Sequence, residues 1–98
     1  MGKKEILDYL KNNKQQLKDN YHLIKIGLFG SFAKDIQNPE SDIDLLIEFE
    51  PGTQNISEKK EKLKKILKIQ FDRDVDLCRE KYLKPYMKEF IIQETIYV

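Results

Sequence analysis

The sequence predicts a small α+β domain: a short mixed β-sheet with helices packed on one face. Three observations carry this prediction. Short apolar runs with period-two alternation occur at 23–29, 42–49 and 74–78. Stretches with apolar residues at three- and four-residue steps lie before, between and after them. Clusters of Gly, Pro, Asn and Ser separate the two kinds of segment. The chain of 98 residues fits one domain spanning 1–98. A chain of this length buries roughly 60–70% of its unfolded surface, so its core is adequate but thin.

The first helix is expected from Lys3 to about Asp19, with Ile6, Leu7, Leu10 and Leu17 on one face and Asn20 as its stop. The first strand, 23–29, sets Leu23, Lys25, Gly27 and Phe29 against Ile24, Ile26 and Leu28. Gly30-Ser31 then opens a short helix through Lys34, and Gln37-Asn38-Pro39-Glu40-Ser41 is a turn by composition. In the second strand, 42–49, Ile43, Leu45 and Ile47 face one way and Asp42, Asp44, Leu46 and Glu48 the other. A second long helix, about 57–70, carries the stripe Leu63, Ile66, Leu67 and continues to Phe71. The third strand, 74–78, puts Asp74, Asp76 and Cys78 on one face. Lys84-Pro85 starts the last helix, which runs to about Ile96 and is expected to bury Met87, Phe90 and Ile91. Strand order does not follow from these patterns.

Composition narrows the function. Charge is nearly balanced, 18 basic against 17 acidic residues, so no overall basic field favours nonspecific nucleic-acid binding. The charged run around Lys59-Lys60-Glu61-Lys62 reads as a solvated helix face. One cysteine, Cys78, cannot form an internal disulfide. No signal-like segment opens the chain, and no apolar run approaches the ~20 residues that span a bilayer. A cytoplasmic location is the expectation.

The chemistry-bearing residues cluster in three places. A strand running into Gly30-Ser31 and a helix start presents free N–H groups to an anion, and glycine lets a phosphate approach closely. A plain turn with Ser31 as an N-cap explains the same residues. Asp42 and Asp44, two apart on a strand, point the same way and supply hard oxygen ligands. Solvated acids at a strand start are the simpler reading. Asp76 adds a third carboxylate from its own strand, with Asp74 in reserve on that face. Converging carboxylates repel one another unless a cation sits among them, and this favours divalent-metal chemistry on a phosphorylated substrate. His22 at a helix–strand junction, Cys78, an Arg73–Asp74 surface pair and Tyr82, Tyr86 and Tyr97 all have structural explanations.

Taken together, Gly30-Ser31-Phe32-Ala33, then Ser41-Asp42-Ile43-Asp44-Leu45-Leu46, then Val75-Asp76-Leu77 resemble the minimal nucleotidyltransferases of the DNA polymerase β-like superfamily. The resemblance covers roughly 23–98. It implies the nucleotidyltransferase fold, with Gly30 and Ser31 holding the triphosphate of ATP and Asp42 and Asp44 binding two Mg²⁺ ions. Asp76 would share one metal and help activate the acceptor hydroxyl. Where the family commonly carries Arg-Gly after the alanine, this chain has Lys34-Asp35. Lys34 keeps the phosphate-binding charge without the bidentate fork, and Asp35 tolerates a left-handed turn better than most residues. Short members of this family pair as antitoxins with a HEPN-domain ribonuclease toxin and transfer AMP from ATP to a toxin tyrosine. The resemblance therefore implies a HEPN partner in a hetero-oligomer. A catalytically weak module that neutralises its partner by contact is the alternative, and an ordinary small domain with unrelated acids is a third reading.

Overall fold

A computed structural model describes residues 1–98. In chain order the elements are α1 (Lys3–Asn12), α2 (Lys14–Tyr21), β1 (Leu23–Phe29), α3 (Gly30–Ala33), β2 (Ile43–Phe49), α4 (Ile56–Phe71), β3 (Val75–Arg79), a 3₁₀ turn (Glu80–Tyr82), α5 (Pro85–Glu94) and β4 (Ile96–Tyr97). The strands form one mixed sheet in the order β3-β2-β1-β4. β2 runs antiparallel to β1 and parallel to β3, and β4 pairs antiparallel with β1. The parallel β2–β3 pair needs a crossover, which α4 supplies.

One face of the sheet carries the main core. Ile26 and Leu28 of β1, Ile43, Leu45 and Ile47 of β2, and Val75 and Leu77 of β3 are buried there against Ile6, Leu10, Leu17 and Tyr21 of α1–α2 and Leu63, Leu67 and Phe71 of α4. The α4 positions recur every four residues, so they form a single ridge. Ile66 stands off that ridge and is exposed, unlike its expected place in the stripe. Tyr9 meets Phe71 edge-on with ring centroids 5.2 Å apart, tying α1 to α4.

Four local readings are corrected by the fold. The first helix is two, divided at Asn13, whose backbone leaves the helical region at φ −110°, ψ 10° and whose side chain donates to the Tyr9 carbonyl at 2.8 Å. Its stop is His22, in the left-handed conformation at φ 57°, rather than Asn20. In β1, Leu23 is buried with Ile26 and Leu28, while Ile24 is exposed. The pairing slips between Leu23 and Lys25, so two β1 residues oppose one on β2, and this bulge turns Leu23 into the core. Finally, α5 starts at Pro85 as expected but buries only Ile91; Met87 and Phe90 lie exposed, and the helix ends at Glu94 before β4 begins.

The second face holds Lys25, Gly27 and Phe29 of β1, Asp44, Leu46 and Glu48 of β2, and Asp76 and Cys78 of β3, as the register requires. The chain returns to this face at its C-terminus. A Cβ on Gly27 would lie 2.5 Å from Thr95 Cγ2 and 3.0 Å from the Tyr97 ring, so β4 closes only over a glycine. Glu48 stiffens the far end of this face. Its Oε1 accepts from Arg79 Nε at 2.9 Å and from a terminal guanidinium nitrogen at 2.7 Å, and its Oε2 accepts from the Lys81 N–H at 3.0 Å. Burial pushes the Glu48 carboxyl up, but these bonds outweigh it and hold the group below its ordinary range. No helix is long and apolar enough to cross a membrane.

Gly27→Val should overpack the β1–β4 junction and destabilise the fold by about 1–3 kcal/mol in urea titration. The Val98 amide, which donates to Ile26 at 3.0 Å, should lose exchange protection in the same variant. Unchanged stability and protection would show that β4 does not depend on the glycine.

Candidate active site

The sheet order lines up the residues singled out by sequence. Asp44 of β2 is in register with Phe29, the last residue of β1, on one side and with Asp76 of β3 on the other. Residues in register share a face, so the Asp44 and Asp76 carboxylates emerge side by side on the second face, from strands about 4.8 Å apart. Asp42 precedes β2 by one residue and is exposed. Gly30 follows Phe29 at φ 76°, a left-handed conformation suited to glycine. The space a Cβ would fill at Gly30 is taken by the Asp44 carboxylate, so that site excludes any side chain twice over. Gly30, Asp44 and Asp76 thus form a continuous row across three neighbouring segments.

The row is electrostatically loaded. Burial, then the charges of Asp76, Asp42 and Glu94, push the Asp44 carboxyl up to about 6. Burial and the same aspartates, Asp76 before Asp44, push the Cys78 thiol to about 11, which makes it a poor nucleophile. The aspartates are not gathered into a three-ligand cage. Their donor set nonetheless fits a hard divalent cation: it is all oxygen, it shares one face, and its central member suffers a repulsion that positive charge relieves.

Other candidates fall elsewhere. Asp74, the reserve acid, is exposed and paired with Lys68 Nζ at 2.9 Å. Arg73 therefore has a different partner set: one guanidinium nitrogen donates to the carbonyls of Asn38 (3.4 Å), Pro39 (2.9 Å) and Ser41 (3.0 Å). Its guanidinium also lies 5.2 Å from the Phe32 ring centroid. It ties the loop that delivers Asp42 to the helix that follows Gly30, a positioning role that the local sequence around it does not signal. Ser31 lies within α3 and makes no capping bond, which removes the N-cap explanation for it. Asp35 adopts φ 58°, the left-handed turn that suits its residue type. His22 lies 3.9 Å from Glu50 at the opposite end of β1, away from the row.

Lys34 is held. Its ammonium lies 3.0 Å from Glu94 Oε2 and 5.7 Å from the Phe90 ring centroid. The other Glu94 oxygen accepts a long bond, 3.4 Å, from the Gly30 N–H. Glu94 is thus a fourth acid at the site, and it comes from the C-terminal helix.

Comparison with known proteins gives the class. The family model for the nucleotidyltransferase domain matches residues 10–98, so the chain belongs to that family. Among its relatives, a candidate protein adenylyltransferase of Methanocaldococcus jannaschii, MJ1379, is 40% identical, with 96% of this chain and 95% of the relative covered. Protein adenylyltransferase MntA of Thermococcus cleftensis is 30% identical over 96% of this chain and 93% of its own. A solved structure described as a candidate minimal nucleotidyltransferase superposes with TM-score 0.80 at 28% identity, covering 98% of this chain and 95% of the other. A toxin–antitoxin crystallised with AMP-PNP superposes at 0.67 and 25% identity, covering 88% and 69%. These similarities put the chain with the minimal nucleotidyltransferases of the family, and it is an enzyme of the nucleotidyltransferase class.

Two measurements check the site geometry. With no metal added, folded Asp44 keeps its proton up to about pH 6 while the unfolded residue loses it near 3.8. The folded state therefore binds more protons in that window, and stability falls as pH rises through it, then levels. Thermal melts of Asp44→Asn against wild type should show the variant gaining relative stability from pH 4 to 6 and holding the gain above; a constant difference would contradict the raised carboxyl. Arg73→Ala should strip the 38–41 loop of its anchor, costing about 1–3 kcal/mol and raising amide exchange at Asn38–Ser41, and unchanged exchange there would reject the anchoring role.

Proposed function

We propose that this chain is a Mg²⁺-dependent protein adenylyltransferase that transfers AMP from ATP to a tyrosine hydroxyl of a HEPN-type toxin, and so acts as its antitoxin. The observation that carries the reading is the Asp44 carboxylate, wedged between the Gly30 turn and Asp76. It sets the Gly30 turn directly beside a pair of acids on one face of the sheet. In this reading Asp42 and Asp44 would hold two Mg²⁺ ions, and Asp76 would share one of them. The bound cations would neutralise the triphosphate and steady the leaving pyrophosphate.

The chain's own residues do the rest. The Gly30 N–H and the Ser31 hydroxyl donate to phosphate oxygens, and Lys34 contributes a positive charge. Asp76, exposed at the rim of the row, accepts the acceptor hydroxyl's proton. The acceptor oxygen then forms a bond to the α-phosphorus as the bond from that phosphorus to the bridging oxygen of pyrophosphate breaks. Positioning and electrostatics supply the acceleration, with no covalent intermediate on the enzyme.

The partner supports the reading by need. Asp42 and Asp76 are exposed at the row, and Tyr86 and Phe90 remain exposed on α5, the helix that carries Glu94. A toxin–antitoxin neighbour solved with AMP-PNP and a relative named protein adenylyltransferase MntA support the reading.

Incubation of the chain with a HEPN partner, ATP and Mg²⁺ should add the mass of one or more adenylates to the partner. Asp44→Asn and Asp42→Asn should each lower that rate by at least about 100-fold, the scale on which removal of an electrostatic stabiliser acts. If both variants still neutralise the partner and no mark forms with wild type, contact alone is the mechanism and the transferase reading fails.

A further inference from the structure

We propose that Glu94 is a built-in competitor of the nucleotide: its carboxylate occupies the Gly30 amide and the Lys34 ammonium, and a triphosphate binds by displacing it. This rests on the reading above that Gly30 and Lys34 serve the nucleotide phosphates. Both groups are engaged by one side chain, which mimics two oxygens of a phosphate. Oε1 accepts from Gly30 N at 3.4 Å, and Oε2 lies 3.0 Å from Lys34 Nζ. The Glu94 side chain is only 17% exposed, whereas Lys34 is 46% exposed, so the carboxylate lies beneath the lysine, against the Gly30 turn.

The plug is built to leave. The Gly30 bond is long, and bonds of this length are weak. Oε2 is buried without a well-directed hydrogen bond, although it stands in ion-pair range of Lys34. Its negative charge also faces Asp44, where it adds to the repulsion among the acids. A phosphate carries more negative charge and more acceptor oxygens than a carboxylate, and it arrives with cations that the acids favour. Exchange replaces a poorly satisfied internal anion with a better-satisfied one.

Glu94 sits in the last turn of α5, so the exchange has a mechanical consequence. Tyr86, Phe90 and Glu94 recur every four residues along one face of that helix. Phe90 is 65% exposed, with the Lys34 ammonium 5.7 Å from its ring centroid. Nucleotide occupancy and the state of this helix face are therefore coupled through Glu94 and Lys34.

The test is calorimetric titration of the full chain with AMP-PNP and Mg²⁺, without a partner. Glu94→Gln preserves shape and removes the charge; it should bind about tenfold tighter than wild type, equivalent to about 1.4 kcal/mol. Glu94→Asp keeps the charge but is one methylene too short to reach both groups. It should also bind tighter, which separates release of the plug from loss of charge or of fold. Glu89→Gln, on an exposed position of the same helix, should leave affinity unchanged. In nucleotide-free protein, Glu94→Gln should speed exchange of the Gly30 amide. If wild type binds and both Glu94 variants bind equally or more weakly, the competitor role is overturned while the nucleotide site stands. If Glu89→Gln tightens binding as much as Glu94→Gln, the effect is general charge and the proposal is again overturned. If neither wild type nor any variant binds, the nucleotide site itself is wrong and the competitor falls with it.

Discussion

The site depends on one steric exclusion: the Asp44 carboxylate occupies the volume that a side chain at position 30 would need. The places of the turn after β1 and of the central acid are both tied to that contact. Because β2 is central to the acid-bearing part of the sheet, Asp44 is flanked by the end of β1 and by Asp76. Because Gly30 carries no Cβ, the turn after β1 closes directly against that carboxylate, while its N–H is directed at Glu94 Oε1, 3.4 Å away. A larger residue at position 30 would have to push Asp44 away and also hold a left-handed backbone. The two penalties have separate origins, so no single compensating change removes both.

Electrostatics explains why such an arrangement needs external positive charge. Acids at 42, 44, 76 and 94 face one another across a partly buried corner, and only Glu94 has a lysine partner. The fold tolerates this because its stability comes from the opposite face, where α1, α2 and α4 bury a continuous apolar cluster against three strands. Function and stability are thus separated by the thickness of the sheet. Strand alternation makes the separation possible, since each residue that faces the core is followed by one that faces the site.

The same alternation decided what was legible in the sequence. β1, β2 and β3 were readable because their apolar residues recur with period two, and Asp42, Asp44 and Asp76 came out on the same face for that reason. Gly30 and Ser31 gained meaning through their spacing to Asp42 and their resemblance to the family. The bulge at Leu23 was not legible, because it is a property of how β1 pairs with β2. The exposure of Phe90 and Met87 was hidden for a related reason: a helical apolar stripe looks the same whether or not something covers it. Glu94 and Arg73 were beyond reach altogether. They enter the site through contacts 64 and 32 residues distant in sequence, Glu94 to Gly30 and Arg73 to Ser41, and no local pattern encodes such separations.

The C-terminal segment is the part of the molecule best suited to change its contacts. α5 contributes one buried side chain, Ile91, and that residue lies outside the main core cluster. Its end is fastened by a two-residue strand, by the Thr95 hydroxyl donating to the Ile91 carbonyl at 2.6 Å, and by the close fit over Gly27. Segments with few buried apolar contacts open at low free energy while the remainder of a fold stays intact. β4, however, is paired with β1, whose end carries the Gly30 turn. The helix can therefore yield at Phe90 and Glu94 while its C-terminal strand holds register, so that movement at the mouth of the site need not disturb the row of glycine and aspartates beneath it.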